Sequence, residues 1–248
     1  MNLILFEPEE IGRTLPETDE RLRHLFNVLK IQPGDYFRAG ITSGPLGQAR
    51  LLQKTRSGWK WEFRQISRSP APLRPLTLIL GCPRPPTARR LLKDCCSLGI
   101  REIHVCGTDL NEKSYMGSRL WRDGLWEKAL RDGAMQGGST LLPKVVQQAS
   151  LPAALRELDS FSGEEVLRIA LDNEEDAQSW ITWKTAHADF RADSAVLAVG
   201  PERGWSGRER NILDRHEFTR LHLGERILRT ETACILGAGL LLDTLEGY

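Results

Sequence analysis

The chain has 248 residues, 40% apolar and 27% charged, a balance that suits one large domain or two modest ones and excludes a disordered or fibrous protein. Its formal charge of +1 hides an uneven distribution, and no apolar run approaches membrane-spanning length, so no membrane partner is expected. Met1–Phe6 is a short apolar run followed at once by Glu7, Glu9 and Glu10, which is not a secretory signal, so the expected location is cytoplasmic.

The first 70 residues read as short strands and turns. Candidate strands are Asn2–Phe6, Tyr36-Phe37, Gln48–Gln53 and Trp59–Phe63, the last alternating with period two, with turns at Pro33-Gly34-Asp35, Ser43-Gly44-Pro45 and Ser57-Gly58. One helix is predicted over Glu20–Lys30, because Leu22, Leu25, Phe26 and Leu29 recur at helical spacing; Arg21, Arg23 and Lys30 should then face outward. A small half-open barrel is the natural architecture. Between residues 21 and 70, ten cationic side chains stand against Asp35 and Glu62, a local excess of +8. That surface is either an attractor for a polyanion or a solvated sheet face. Trp59 and Trp61 share one side of their strand and suit core packing better than base stacking.

Ser69-Pro-Ala-Pro-Leu-Arg-Pro75 places three prolines in seven residues and marks the expected domain boundary. Beyond it, strands expected at Leu76–Gly81, Glu102–Cys106, Val166–Leu171, Ala195–Gly200 and Arg220–Leu223 alternate with helices expected at Thr87–Leu98, Leu120–Gln136, Leu151–Leu158, Gly207–His216 and Glu231–Leu245. This is the pattern of βαβ units around a mostly parallel sheet. The five cysteines (Cys82, Cys95, Cys96, Cys106, Cys234) include no Cys-x-x-Cys pair, so they are expected to be reduced core residues, without a disulfide or a metal.

The usual cofactor and catalytic signatures are missing. Cys82-Pro-Arg-Pro-Pro86 follows the first strand where a dinucleotide fold would place Gly-x-Gly-x-x-Gly, and there is no Walker loop, Gly-x-Ser-x-Gly elbow or His-Glu-x-x-His. Glycine-bearing turns come late instead, in Val199–Ser206 and Leu221–Ala233, each after the carboxyl end of a strand, where open α/β sheets bind ligands. Gly200 and Gly224 either grip a flat ligand through backbone groups or simply serve tight turns.

Gly200-Pro-Glu-Arg-Gly-Trp-Ser206, followed by Leu223-Gly-Glu-Arg-Ile-Leu-Arg-Thr-Glu-Thr-Ala233, resembles the carboxy-terminal signature of the RsmE family of 16S ribosomal RNA uridine-N3 methyltransferases, in the SPOUT superfamily. His24–Lys30 with Pro33–Asp35, Leu98-Gly-Ile100, Glu112-Lys-Ser114, and Gln136 with Pro143 are similar to the family's other landmarks, so the likeness spans nearly the whole chain. The resemblance implies a PUA-like β-barrel over residues 1–70 that binds RNA. It also implies a trefoil-knotted methyltransferase domain over residues 74–248, S-adenosylmethionine as cofactor, and a homodimer that acts on ribosomal RNA of the small subunit. It assigns the cofactor pocket to Val199, Gly200, Pro201, Glu202, Gly204, Leu221, Leu223, Gly224, Ile227, Leu228 and Thr232. RNA contacts carry over to His24, Lys30, Arg84, Lys93 and Lys113.

Methyl transfer to a uracil N3 needs an in-line nucleophile that sheds its proton, so positioning and electrostatics should dominate. Arg229 is the first candidate for stabilising charge on the uracil oxygens, its alternative being an ion pair with Glu225 or Glu231. Glu202 and Glu231 are candidates for the proton, and Glu231 could equally serve the start of a helix that Thr230 or Thr232 would cap. The chain departs from the family pattern at Arg203, at Ser97, at Asn27 and Lys30 in the barrel motif, and at Met135-Gln-Gly-Gly-Ser139, where the family ends in arginine. Arg203 is expected to replace part of that lost RNA contact. Two other readings remain: a related methyltransferase acting on another RNA, and a non-catalytic RNA-binding or ribosome-assembly relative.

Overall fold

The structure, a computed structural model, describes residues 3–66, 70–158 and 166–245. Asn2, Arg68 and Ser69, which the sequence reading used, lie outside the described residues. The chain divides into two compact units: residues 1–72 together with 131–142, and residues 73–130 together with 143–248. The first boundary falls within the proline-rich connector, while residues 131–142, read from sequence as part of the second domain, group with the first unit.

The first unit contains β1 (Ile4–Phe6), α1 (Glu20–Asn27), β2 (Tyr36–Ile41), β3 (Leu46–Thr55) and β4 (Gly58–Gln65). The strands form one sheet in that order, β1 parallel to β2 and the rest antiparallel. Phe37, Ala39, Ala49, Leu51 and Trp61 alternate onto its inner face, where Leu22 and Leu25 of α1 complete the core. Trp61 stacks on Phe6 with ring centroids 4.0 Å apart, and Trp59 tilts against Phe26 at 5.4 Å, so both tryptophans pack on the core side.

Helix α1 starts where Asp19 accepts a bond from the Arg21 N–H at 2.8 Å and ends three residues earlier than the periodicity predicts. Its continuation is broken because Ile31 donates back to Leu25 and Lys30 adopts a left-handed φ of +56°. Arg21 is not on the open surface. It pairs with Glu10 and with Asp19 at 2.7 Å, donates to the Leu5 carbonyl at 3.1 Å and lies over the Phe6 ring at 4.6 Å. Lys54 pairs with Glu17 at 3.0 Å, so acids upstream of residue 21 offset part of the basic excess, while Arg50 pairs with Glu62 of the same window at 2.5 Å.

The second unit runs β5 (Arg74–Gly81), α2 (Pro85–Leu98), β6 (Ile100–Cys106), α3 (Arg119–Arg122), α4 (Leu125–Gly137), β7 (Lys144–Gln148), α5 (Leu151–Leu158) and β8 (Val166–Leu171). It continues with β9 (Gln178–Ser179), α6 (Trp180–Ala186), β10 (Ser194–Val199), α7 (Gly207–Arg215), β11 (Thr219–His222) and α8 (Thr230–Leu242). The last part of α4 falls in the residues that group with the first unit. The seven strands order as β7-β6-β5-β10-β8-β11-β9, and every pairing is parallel. A parallel sheet is covered on both faces, which is why β5, β8 and β10 read as near-continuous apolar runs.

Three differences from the expected elements have local causes. Gly124, at φ +69°, breaks the single helix expected over Leu120–Gln136 into α3 and α4. Strand β7 sits at the sheet edge and is only half-buried, so Lys-Val-Val-Gln-Gln shows no apolar run. Strand β9 and helix α6 are too short for periodicity to register.

Candidate active site

All seven strands end on the same edge of the sheet, and the loops that follow β5, β8, β10 and β11 converge there around a cleft of about 890 Å³. The β10 loop contributes Val199, Gly200, Pro201, Glu202, Arg203 and Gly204, and the β11 loop contributes Leu221 to Gly224 and Arg226 to Thr230. Of the eleven residues expected to hold a cofactor, ten line this cleft. Thr232 does not, because the helical turn presents Thr230, Glu231 and Ala233 to the cleft and leaves Thr232 on the exposed side.

The β10 loop is fixed by burial and by a helix start. Trp205 is 1% exposed and its Nε1 donates to the Leu171 carbonyl at 3.2 Å, tying the loop to the end of β8. Ser206 then caps α7: the Glu209 N–H donates to Ser206 Oγ at 3.1 Å and the Ser206 N–H to Glu209 Oε2 at 2.9 Å. Between them the Gly204 N–H closes a turn on Pro201 O at 2.8 Å, so close that a Cβ on Gly200 would meet the Gly204 carbonyl carbon at 3.0 Å. In the β11 loop Gly224 holds φ +117°, a backbone conformation open to glycine, with nothing within 4 Å of where a Cβ would stand.

Four carboxylates face this cleft. Asp172, at the end of β8, is bound by Arg210 of α7 at 2.7 Å and by Arg220 of β11 at 3.4 Å. Glu174 also pairs with Arg210, at 3.1 Å. Bonds to Asp176 first, and to Asp214, push the Arg220 guanidinium above the usual arginine range. Glu202 Oε1 accepts the Arg84 N–H at 3.0 Å, where α2 begins, and Glu231 pairs with Arg90 at 3.1 Å. Both glutamates expected to handle a proton thus also have a structural anchor.

Arg229 is exposed, lines the cleft and sits at the N-cap of α8, making no ion pair among the described residues with Glu225 or Glu231. Neither threonine caps α8, since that position belongs to Arg229 and its side chain makes no capping bond. Arg84 and Arg203 line the cleft as well. Lys93 and Lys113 are exposed elsewhere on the second unit, while His24 and Lys30 belong to the first.

Sequence reasoning missed Asp172, Arg210, Thr87 and Arg90. The acid-rich run Asp172-Asn-Glu-Glu-Asp176 at the end of β8 was the one available signal. All five cysteines are free and buried, and none lines the cleft; burial pushes the Cys82 thiol up to about 12. A mechanism that needs a thiolate adding to a pyrimidine ring has no group here to perform it.

The chain matches the family model of an RNA methyltransferase domain over residues 69–242. It is 34% identical over 252 residues to the ribosomal RNA small subunit methyltransferase E of Treponema pallidum, covering 100% of this chain and 93% of the relative. It is 31% identical to ribosomal RNA small subunit methyltransferase E 1 of Borreliella burgdorferi, over 95% of this chain and 94% of that one. Its fold matches the crystal structure of a ribosomal RNA small subunit methyltransferase E from Neisseria gonorrhoeae bound to S-adenosyl methionine, with a TM-score of 0.73, 23% identity, and 98% and 97% of the two chains covered. The chain is therefore a member of the RNA methyltransferase family to which the ribosomal RNA small subunit methyltransferases E belong.

Proposed function

We propose that this chain transfers the methyl group of S-adenosylmethionine to N3 of a uridine in the ribosomal RNA of the small subunit. In this reading it is a cytoplasmic homodimer, with a PUA-like barrel that binds RNA (residues 1–70) and a trefoil-knotted SPOUT catalytic domain (residues 74–248). The observation that carries the reading is the pair of glycine-bearing loops after β10 and β11, which face one cleft with the guanidinium of Arg229, unpaired among the described residues, on its wall. The insertion of β10 between β5 and β8, with α8 packed back on α2 and β10, supports the knot. Helix α8 is apolar around its circumference and leaves Leu236 43% exposed, which supports a second copy as its partner.

The residues present fit the cofactor. A Cβ on Gly200 would crowd the Gly204 backbone at 3.0 Å, nothing stands within 4 Å of where a Cβ on Gly224 would be, and the cleft is large enough for a nucleoside with an amino-acid tail. When bound, the cofactor supplies an electrophilic methyl group. The Val199–Gly204 and Leu221–Leu228 backbones hold it and exclude water on one side. Arg229 stabilises negative charge on the uracil oxygens as N3 loses its proton. Glu202 and Glu231 each have one oxygen engaged, by the Arg84 N–H and by Arg90, which leaves a second oxygen on one of them to take that proton. Arg84, Lys93, Lys113 and Arg203, with His24 and Lys30 of the first unit, contact RNA.

Mass spectrometry of ribosomal RNA nucleosides from a deletion strain tests the reading. N3-methyluridine should disappear and return with the wild-type gene but not with Arg229→Ala. An unchanged level in the deletion strain would overturn the assignment.

A further inference from the structure

We propose that the corner of the cleft between the starts of α2 and α8 binds the oxygen-bearing edge of the target uracil, through the hydroxyls of Thr87 and Thr230. The proposal deepens the uridine methyltransferase reading and rests on it for the identity of the base.

Two threonines stand apart from the other groups that line the cleft. Thr87 is 8% exposed and Thr230 is 7% exposed, and neither hydroxyl makes a hydrogen bond among the described residues. A hydroxyl on a buried side chain is costly to leave without a partner, and a ligand in the cleft would complete both. They come from helices distant in sequence that meet at this point. Arg90, one turn after Thr87, pairs with Glu231, next to Thr230, at 3.1 Å. All four residues line the cleft, so this pair holds the two threonine-bearing turns at one corner of it.

The local sequence leaves both turns open to a ligand. Pro85 and Pro86 fill the first two positions of α2 and have no N–H, and the Arg84 N–H is taken by Glu202 at 3.0 Å. The N–H and hydroxyl of Thr87 are therefore the first donors that α2 offers. In α8 the Ala233 N–H donates to the Arg229 carbonyl at 2.9 Å, which leaves the Thr230, Glu231 and Thr232 N–H groups without a helical acceptor. The Arg229 side chain makes no capping bond to them. This end of α8 is the positive pole of the helix dipole, with the Arg229 guanidinium beside it.

Charge decides which reactant belongs there. The sulfonium and ammonium of the cofactor are cations, poorly served by a corner that holds Arg84, Arg90 and Arg229. A uracil that loses its N3 proton instead spreads negative charge over the two carbonyl oxygens flanking N3, and preorganised donors stabilise it. The hydroxyls of Thr87 and Thr230 donate to those oxygens, one from each helix. Cytosine would set an amino group in place of one oxygen and oppose it to the N–H groups of α8, donor against donor, so the corner selects uridine.

The test compares T87V and T230V, which exchange the hydroxyl for a methyl of similar size, with T87S and T230S, which keep it. Full-length protein is given S-adenosylmethionine and small ribosomal subunits from a deletion strain. Single-turnover methylation is followed across pH, and the product nucleoside is identified by mass spectrometry. Each valine variant should lower the rate at neutral pH about ten- to a hundredfold, as expected for one hydrogen bond to a charged oxygen. The pH at which the rate levels off should rise by about one to two units, because the bound base becomes less acidic. The serine variants should recover most of the rate, while calorimetric affinity for S-adenosylmethionine stays at the wild-type value and the melting temperature does not fall. Valine variants with the wild-type rate and pH profile would overturn the proposal, as would serine variants as slow as the valines. A loss of cofactor affinity that matches the loss of rate would also overturn it, by assigning the hydroxyls to the cofactor. A wild type that leaves uridine N3 unmethylated would overturn the uridine reading itself, a result in which the variants play no part.

Discussion

The carboxylate of Asp172, 1% exposed, takes a two-pronged bond from the Arg210 guanidinium, at 2.7 Å from Nε and 3.2 Å from Nη2. Arg210 belongs to α7, which begins directly after the β10 loop. Arg220, the second partner of Asp172, belongs to β11, which leads into the other loop. One buried carboxylate therefore ties together the two elements that carry both walls of the cleft.

Removing that carboxylate leaves two cations facing each other with their shared acceptor gone. Asp172→Ala should destabilise the protein by about 3 kcal/mol, a fall of roughly 6 to 12 °C in melting temperature. Calorimetry should also show affinity for S-adenosylmethionine reduced by about tenfold, since the loops lose their common tether. A variant that melts like wild type would show that Arg220's bonds to Asp214 and Asp176 suffice to hold β11.

Arg229 lines the cleft and makes no ion pair with another of the described residues. Arg229→Ala should leave cofactor affinity within about twofold of wild type while lowering kcat by about a hundredfold, the usual loss when one preorganised charge donor is removed. Arg229→Lys should recover little of it, because a point charge on a flexible stem does not reproduce the planar fork. Single-turnover methylation assays separate these effects from RNA binding.

Gly224 is expected to tolerate substitution poorly for conformational reasons. Its φ of +117° strains any residue with a Cβ, although the surrounding space is open. Gly224→Ala should cost about 1 to 3 kcal/mol of local strain, relieved by moving the loop. The measurable outcome is a cofactor dissociation constant raised about tenfold or more with little change in melting temperature. Equal affinity would mean that the β11 loop adapts without loss.

Much of the site was legible because its signal is local. Val199–Ser206 and Leu221–Ala233 each combine a buried strand, a glycine and a helix start within a dozen residues, and neighbours in sequence stay neighbours in the cleft. The Asp172–Arg210–Arg220 cluster was not legible, because its members lie on β8, α7 and β11 and no spacing links them. The position of Thr232 outside the cleft lining has the opposite origin. A motif reads as a line, but α8 turns about 100° per residue, so consecutive residues cannot all face one ligand. Arg21 shows the same limit for charge counts: its partners Glu10 and Asp19 stand outside the window that made the region look uniformly basic.

That arginine also sets the acid response of the first unit. Its hydrogen bonds hold the Glu10 carboxyl below the usual range, and they do the same for Asp19 against the opposing effect of burial. A carboxylate with a lowered folded pKa contributes stability at pH values above its unfolded pKa, and that contribution fades as pH falls through the folded value. The melting temperature of the wild type should therefore decline steadily below about pH 4, where unfolded Asp and Glu already begin to take up protons. In Arg21→Met the apolar stem still covers Phe6 but the guanidinium is gone, so the two carboxylates lose their partner. That variant should melt lower at neutral pH and show a flatter slope below pH 4, because its carboxylates have less left to lose. Parallel slopes in the two proteins would assign the acid response to other groups.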